Sequence, residues 1–283
     1  MKLATLRTAD RRTEAVRVDD DGACTGLGFA DVGELLAQDG WLDIAATAAP
    51  AAGTRPPLHP GDLAPVVPRP GKVICVGLNY RNHILEMGRE LPEHPTLFAK
   101  YADALIGARD TIELAEESQR TDWEAELAVV IGATVRRADD ERAARAIAGF
   151  TVLNDVTMRD WQYRTKQWLQ GKTFENTTPV GPLLVTPDEL PGGTAPALTM
   201  TCSVDDETMQ KADTSDLVFK PVELVRYIST VLTLRPGDVI ATGTPGGVGH
   251  ARQPQRYLTD GSRLVTEIDG IGRLDNIARR AER

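Results

Sequence analysis

Short apolar runs cut by turn residues dominate the chain from residue 72 onward. The strand-like segments are KVICVGL, TLFAKY, EAELAVVIG, GFTVLNDVT, GPLLVT, ALTMTCSV, DVIATG and RLVTEIDG. Gly, Pro, Asn or Asp punctuates most of them, which is how strands rather than helices are bounded. Downstream of residue 72, a helical period is found in ERAARAIA (141–148) and PVELVRYISTVL (221–232). Near the N-terminus, TEAVRVDDDGACTGLG predicts two strands around an Asp-Gly turn, and ADVGELLAQDGW a short amphipathic helix. Between these regions runs AATAAPAAGTRPPLHPGDLAPVVPRPGK, whose prolines prevent any long regular element. A domain boundary is expected within it, giving a small α+β domain over residues 1–65, linker included, and a mainly β domain over 70–283. The pattern excludes a doubly wound sheet and a helical bundle.

Composition narrows the functional classes. The chain has 283 residues, 41% of them hydrophobic, which is enough for a sizeable core. A net charge of −9 argues against a nucleic-acid partner, because phosphate neutralisation needs a basic face. Cys24, Cys75 and Cys202 are far apart, so neither a disulfide framework nor a thiolate metal site is expected, and a reducing cytoplasm is. No segment has the apolar core of a signal peptide or the length of a membrane span, so no membrane partner is expected.

The candidate chemistry begins with TDWEAELAVVIG, residues 121–132. Glu124 and Glu126 are two apart, and a strand sends such side chains to one side. Two carboxylates aimed at one spot repel unless a positive group lies between them or one keeps its proton. Asp155, after the apolar run Phe150 to Leu153, is the best third member. Three carboxylates without a His or Cys cluster favour a hard cation, Mg²⁺ or Mn²⁺. Spacing alone leaves open that the pair lies on a solvated strand face.

Three further stretches add to this. In GLNYRNHILEMG, one helical turn would bring His83 next to Glu86, and a carboxylate beside an imidazole makes a general base for water. In QWLQGKTFENTTPVGP, Lys172 is a candidate to offset carboxylate charge or polarise a substrate oxygen. LRPGDVIATGTPGGVG ends in a glycine-rich loop whose backbone N–H groups are candidates to hold an oxyanion. It lacks the lysine and helix of a nucleotide loop. His59, His94 and His250 fall in Pro- or Gly-rich loops with no matching partner.

Taken in order, KVICVGLNYRNHILEMG, PTLFAKYADALIG, DWEAELAVVIG, GFTVLNDVTMRDWQ, GKTFENTTPVGP and LRPGDVIATGTPGGVG resemble the fumarylacetoacetate hydrolase family. The resemblance implies a mixed β-sandwich roll with a small N-terminal domain, assembled as a homodimer. It implies Mg²⁺ or Mn²⁺ held by Glu124, Glu126 and Asp155, with His83 and Glu86 activating water. By the same resemblance Lys172 and Lys100 lie near the site, and Gln162 and Thr244 contact substrate oxygens. The implied activity is hydrolysis of a carbon–carbon bond in a 1,3-diketo acid of the acylpyruvate type. Oxaloacetate decarboxylation and keto-diacid isomerisation are the alternatives on the same site, and a non-catalytic metal or small-acid binder is the alternative of another class. One departure is visible: where relatives often read GKSFD, this chain reads GKTFEN, Lys172 to Asn176.

Overall fold

The apolar run after the acidic pair becomes the strand Ala125–Ile131, buried along its whole length. Leu127, Val129 and Ile131 enter one hydrophobic cluster, and Ala128 and Val130 enter another. The alternation of side chains along a strand produces this division, so an unbroken apolar run feeds two cores. On one side the strand pairs antiparallel with Ile147–Asn154, with Glu126 opposite Leu153. On its other side it pairs antiparallel with Val239–Ala241, with Ala128 opposite Ala241.

These three strands are the middle of a ten-stranded mixed sheet. Its order is Cys24–Gly26, Thr13–Val18, Lys2–Arg7, Thr178–Val185, Ile147–Asn154, Ala125–Ile131, Val239–Ala241, Val73–Gly77 and Thr96–Lys100, with Leu105–Ile106 beside Thr178–Val185. A five-stranded sheet, Glu207–Asp213, Thr199–Val204, Arg263–Ile268, Gly272–Arg280 and Ile112–Leu114, packs on one face of its centre. Val129, Val152, Met200, Cys202 and Leu264 lie in the core between them. The architecture is mainly β, as the sequence pattern predicts, and sandwich-like, as the family resemblance implies.

The computed structural model describes residues 1–49 and 58–280. Part of the Pro- and Ala-rich linker, residues 50–57, and the last three residues lie outside the described residues. The N-terminal hairpin forms as expected, with Val16 opposite Gly26 and Val18 opposite Cys24. The strand Lys2–Arg7 then places Leu3 opposite Leu184, so the N-terminal strands extend the large sheet.

Two helices differ in extent from the sequence expectation. ERAARAIA is helical only within Asp140–Arg145; Asp139 accepts from the Arg142 N–H at its start, and Ala146 caps its end. Ile147 pairs with Ile131 instead, because an apolar residue gains more in a buried ladder than on an exposed helix end. PVELVRYISTVL is helical over Pro221–Val231, with Pro in the first turn, where its missing N–H costs nothing. The helices Trp41–Thr47 and Leu169–Lys172 were not anticipated.

Candidate functional site

Neighbouring strand ends assemble the acidic group. Glu124 precedes Ala125–Ile131, Glu126 is its second residue, and Asp155 follows Ile147–Asn154. The Asp155 N–H donates to the Glu124 carbonyl at 2.8 Å, and the Glu124 N–H donates to Asn154 Oδ1 at 2.9 Å, which locks the two strand ends together. All three side chains are buried, and one carboxylate oxygen from each lies within 4.8 Å of the others. The solvated-face alternative is thereby excluded.

Buried cations stand among these acids. Lys172 Nζ lies 2.7 Å from Glu124 Oε2 and 2.8 Å from Asp155 Oδ2. Lys100 Nζ lies 2.6 Å from Asp155 Oδ1. Arg159 spans three partners: Nη2 reaches Glu124 Oε1 at 2.7 Å, Nε donates to Asp122 Oδ2 at 2.8 Å, and Nη1 donates to Gln162 Oε1 at 2.9 Å. Four buried carboxylates, Asp122 included, therefore face three buried cations, and one negative charge is left over.

The carboxyl left without a cationic partner is Glu126. It accepts from the Gly243 N–H at 2.7 Å, and among the described residues no lysine or arginine forms an ion pair with it. Burial, then the charges of Asp155 and Glu124, push its carboxyl well above the usual range. Asp155 is the opposite case: burial pushes it up, but Lys100 and Lys172 outweigh this and hold it below the usual range. Burial disfavours the Lys172 ammonium, yet Asp155 and Glu124 outweigh that and keep it charged. An all-oxygen donor set converging on one point, with one uncompensated carboxylate, fits a hard divalent cation.

A cavity of about 280 Å³ opens onto Glu124 and Lys172, and His83, Gln162 and Thr244 line it too. Gly77 lacks a Cβ where Trp168 packs; a Cβ would come within 2.4 Å of that indole, so glycine there admits an aromatic wall. Phe98 meets Trp168 edge to face and lies 5.1 Å from Lys172 Nζ. His83 and Glu86 are both on the helix Arg81–Glu86, and both come against Gly246. Their side chains make neither a hydrogen bond nor an ion pair with each other, so the contact expected from one helical turn is not made. Burial holds the His83 imidazole below its ordinary value, with the Glu86 carboxylate opposing the shift.

The glycine-rich loop serves the acids. The N–H groups of Gly249 and His250 donate to the two oxygens of Asp122 at 2.6 and 3.0 Å, as Gly243 does to Glu126. Those three N–H groups are thus engaged inside the protein rather than open to an oxyanion. Asp122, Arg159 and His250 escaped sequence reasoning. Arg159 lies in the quoted GFTVLNDVTMRDWQ without being singled out there; only the fold shows it buried between Asp122 and Glu124. His250, for which the sequence offers no matching partner, lines the cavity and lies 2.9 Å from Tyr257 Oη, seven residues on. The aromatic at that spacing was the available signal.

Residues 72–278 match the family described as fumarylacetoacetate (FAA) hydrolase C-terminal. The mitochondrial oxaloacetate tautomerase FAHD2A of Bos taurus is 46% identical over 216 residues, 76% of this chain and 68% of the relative. A fumarylacetoacetate hydrolase from Exiguobacterium antarcticum superposes with a TM-score of 0.84 at 32% identity, covering 99% of this chain and 100% of that one. A maleylpyruvate hydrolase from Sphingobium sp. SYK-6, solved with manganese(II) and pyruvate, superposes with a TM-score of 0.77 at 27% identity, covering 100% of both. The chain belongs to the fumarylacetoacetate hydrolase family.

Proposed function

We propose that this member of the fumarylacetoacetate hydrolase family is a divalent-cation enzyme that moves the proton next to the carbonyl of a small 2-oxo acid, interconverting the keto and enol forms of oxaloacetate or a close analogue. The observation that carries this reading is that a neutral-leaning imidazole, His83, lines the same small cavity as Glu124 and Lys172. The 46% identity to an oxaloacetate tautomerase supports it. Glu124, Glu126 and Asp155 would hold the cation, Mg²⁺ or Mn²⁺. The manganese in the maleylpyruvate hydrolase is consistent with that choice. When bound, the ion supplies Lewis acidity toward the carboxylate and 2-oxo oxygens.

The remaining work falls to the chain's own groups. His83 takes the proton from the carbon beside the carbonyl and delivers it to the carbonyl oxygen, and the reverse transfer restores the keto form, a step that needs the neutral imidazole its burial favours. Lys172 supplies positive charge toward the oxygen on which negative charge develops. Arg159 occupies Gln162 Oε1, which leaves the Gln162 amide N–H groups to hold a substrate oxygen. Thr244 Oγ1 accepts from Gln210 Nε2 at 2.9 Å, so the Thr244 hydroxyl proton is free to do the same. Lys100 holds Asp155 in place from behind the cavity. Three buried cysteines outside any disulfide suit a reducing compartment, and a homodimer is the assembly the family resemblance implies.

A second reading is hydrolysis of a 1,3-diketo acid of the acylpyruvate type. It is favoured by the approach of both His83 and Glu86 to Gly246, which would let the pair close on a water between them. Oxaloacetate decarboxylation shares the same binding groups. One comparison separates the three: loss of enol absorbance from oxaloacetate, pyruvate release from oxaloacetate, and pyruvate release from an acylpyruvate panel, each with Mn²⁺ and with chelator. Tautomerisation requires chelator-sensitive loss of enol without pyruvate; pyruvate from an acylpyruvate at a faster rate would replace it with hydrolysis.

A further inference from the structure

Gln210 does not line the cavity, yet its side chain joins two halves of the site. It is buried on the strand Glu207–Asp213 of the five-stranded sheet. Its Oε1 accepts from the Ala125 N–H at 3.0 Å, and Ala125 stands between Glu124 and Glu126. Its Nε2 donates to the Pro245 carbonyl at 3.0 Å and to Thr244 Oγ1 at 2.9 Å. The glycine-rich loop comes this close because Gly247 has no side chain. A Cβ there would meet the Met209 carbonyl oxygen at 2.1 Å and Gln210 Cγ at 3.2 Å.

Backbone groups at both ends fix the orientation of this amide. The Ala125 N–H needs an acceptor and the Pro245 carbonyl a donor, so a flipped amide would set N–H against N–H and oxygen against oxygen. Both Nε2 hydrogens are therefore spent, one on Pro245 and one on Thr244. An amide nitrogen has no lone pair to offer, so the Thr244 hydroxyl cannot donate back to it. Among the described residues that hydroxyl makes no other hydrogen bond, and Thr244, with Gln162, lines the cavity. A hydroxyl that accepts one hydrogen bond also donates a stronger one.

We infer that Gln210 is a positioning residue: by donating to Thr244 Oγ1 it leaves the hydroxyl proton for a substrate oxygen. Through Ala125 the same amide ties that hydroxyl to the strand end carrying Glu124 and Glu126, so the substrate donor and the acidic triad keep one register. The inference rests on the reading that the cavity takes a 2-oxo acid. Gln210 touches no substrate; its effect on binding passes through Thr244.

The test is a double-mutant cycle, read by calorimetric titration of pyruvate into the whole protein with saturating Mn²⁺. Gln210→Glu keeps an acceptor for the Ala125 N–H but has at most one proton where the amide has two, so the Thr244 hydroxyl turns back to the new carboxyl group. Pyruvate affinity should fall about tenfold in Gln210→Glu and to a similar extent in Thr244→Val, with no further fall in the double variant. Thr244→Ser, which keeps a hydroxyl, should recover most of the Thr244→Val loss. A purely structural role for Gln210 would instead add its loss to that of Thr244→Val. Full affinity in Gln210→Glu, or a loss undiminished in the Thr244→Val background, overturns the assignment of Gln210. Full affinity in Thr244→Val, or Thr244→Ser binding no better than Thr244→Val, overturns it as well, and these arms stand even where Gln210→Glu does not fold. Failure of pyruvate to bind wild type with Mn²⁺ overturns the 2-oxo acid reading and this inference with it.

Discussion

The backbone N–H of Gly243 donates to Glu126 Oε2 at 2.7 Å, and it is the only hydrogen bond to that carboxylate among the described residues. Gly243 has φ +101°, and a Cβ there would stand 2.9 Å from Asn79 Cβ and from the Val76 carbonyl oxygen. Gly243→Ala must therefore shift the backbone that aims this N–H. A stability loss on the order of 1–3 kcal/mol is expected, the usual cost of forcing such a conformation. Weaker Mn²⁺ binding in the same sample is expected with it; a variant that melts early yet binds Mn²⁺ as wild type does would remove Gly243 from the site.

Glu126 keeps its proton to an unusually high pH, because it is buried beside Asp155 and Glu124. A cation has to displace that proton, so Mn²⁺ affinity should rise with pH above the ordinary carboxylate range, with proton release visible in buffers of different ionisation enthalpy. The sign for stability follows from the raised folded value. Glu126 supports the metal-free fold while protonated, and that support is lost as pH rises through its folded pKa. The melting-temperature gain from Mn²⁺ should accordingly grow with pH. In Glu126→Gln both pH dependences should shrink, and a pH-independent affinity in wild type would contradict the assignment.

Lys172 neutralises two buried carboxylates at once. Lys172→Met leaves Glu124 and Asp155 short of a partner, and a loss of about 3–5 kcal/mol in urea unfolding is expected, as for other broken buried pairs. Added Mn²⁺ should recover part of that loss, since it neutralises the same oxygens, but not turnover. Unchanged stability without metal would mean that the ammonium contributes no net support.

His83→Ala should lower turnover by about 10²–10⁴-fold, the range for removal of a general base, with Mn²⁺ affinity unchanged. Burial holds this imidazole below its ordinary value of 6.5, so the neutral form persists to lower pH than in a free histidine. In wild type kcat/KM should fall only as pH drops below that value, and in His83→Ala this acid limb should vanish. Persistence of the limb in the variant would assign it to another group.

Particular residues show how far the chain could be read in advance. The apolar run 125–131 carries its own strand signal, and Glu124 and Glu126 inherit their common direction from the two-residue period. Asp155 is legible for the same reason, at the end of a second apolar run. Arg159 is not, because its burial depends on Asp122 and Glu124, more than 30 residues away, and nothing local distinguishes it from a surface arginine. Lys172 is legible only as a candidate for charge compensation and Lys100 only through the family motif, because their ion pairs span 17 to 55 residues. Helix ends failed for a related reason: Ile147 suits a helix locally, and pairing with Ile131 decides otherwise. The pairing of Lys2–Arg7 with Thr178–Val185 likewise has no local trace.

Anomalous diffraction at the manganese edge, from crystals grown in saturating Mn²⁺, addresses the acidic triad itself. One strong peak is expected about 2.0–2.4 Å from an oxygen of each of Glu124, Glu126 and Asp155, the bonding range of a hard cation. No peak there, with Glu124 and Asp155 still paired to Lys100, Arg159 and Lys172, would show that the lysines and arginine alone balance these acids and that the proposed chemistry has no centre.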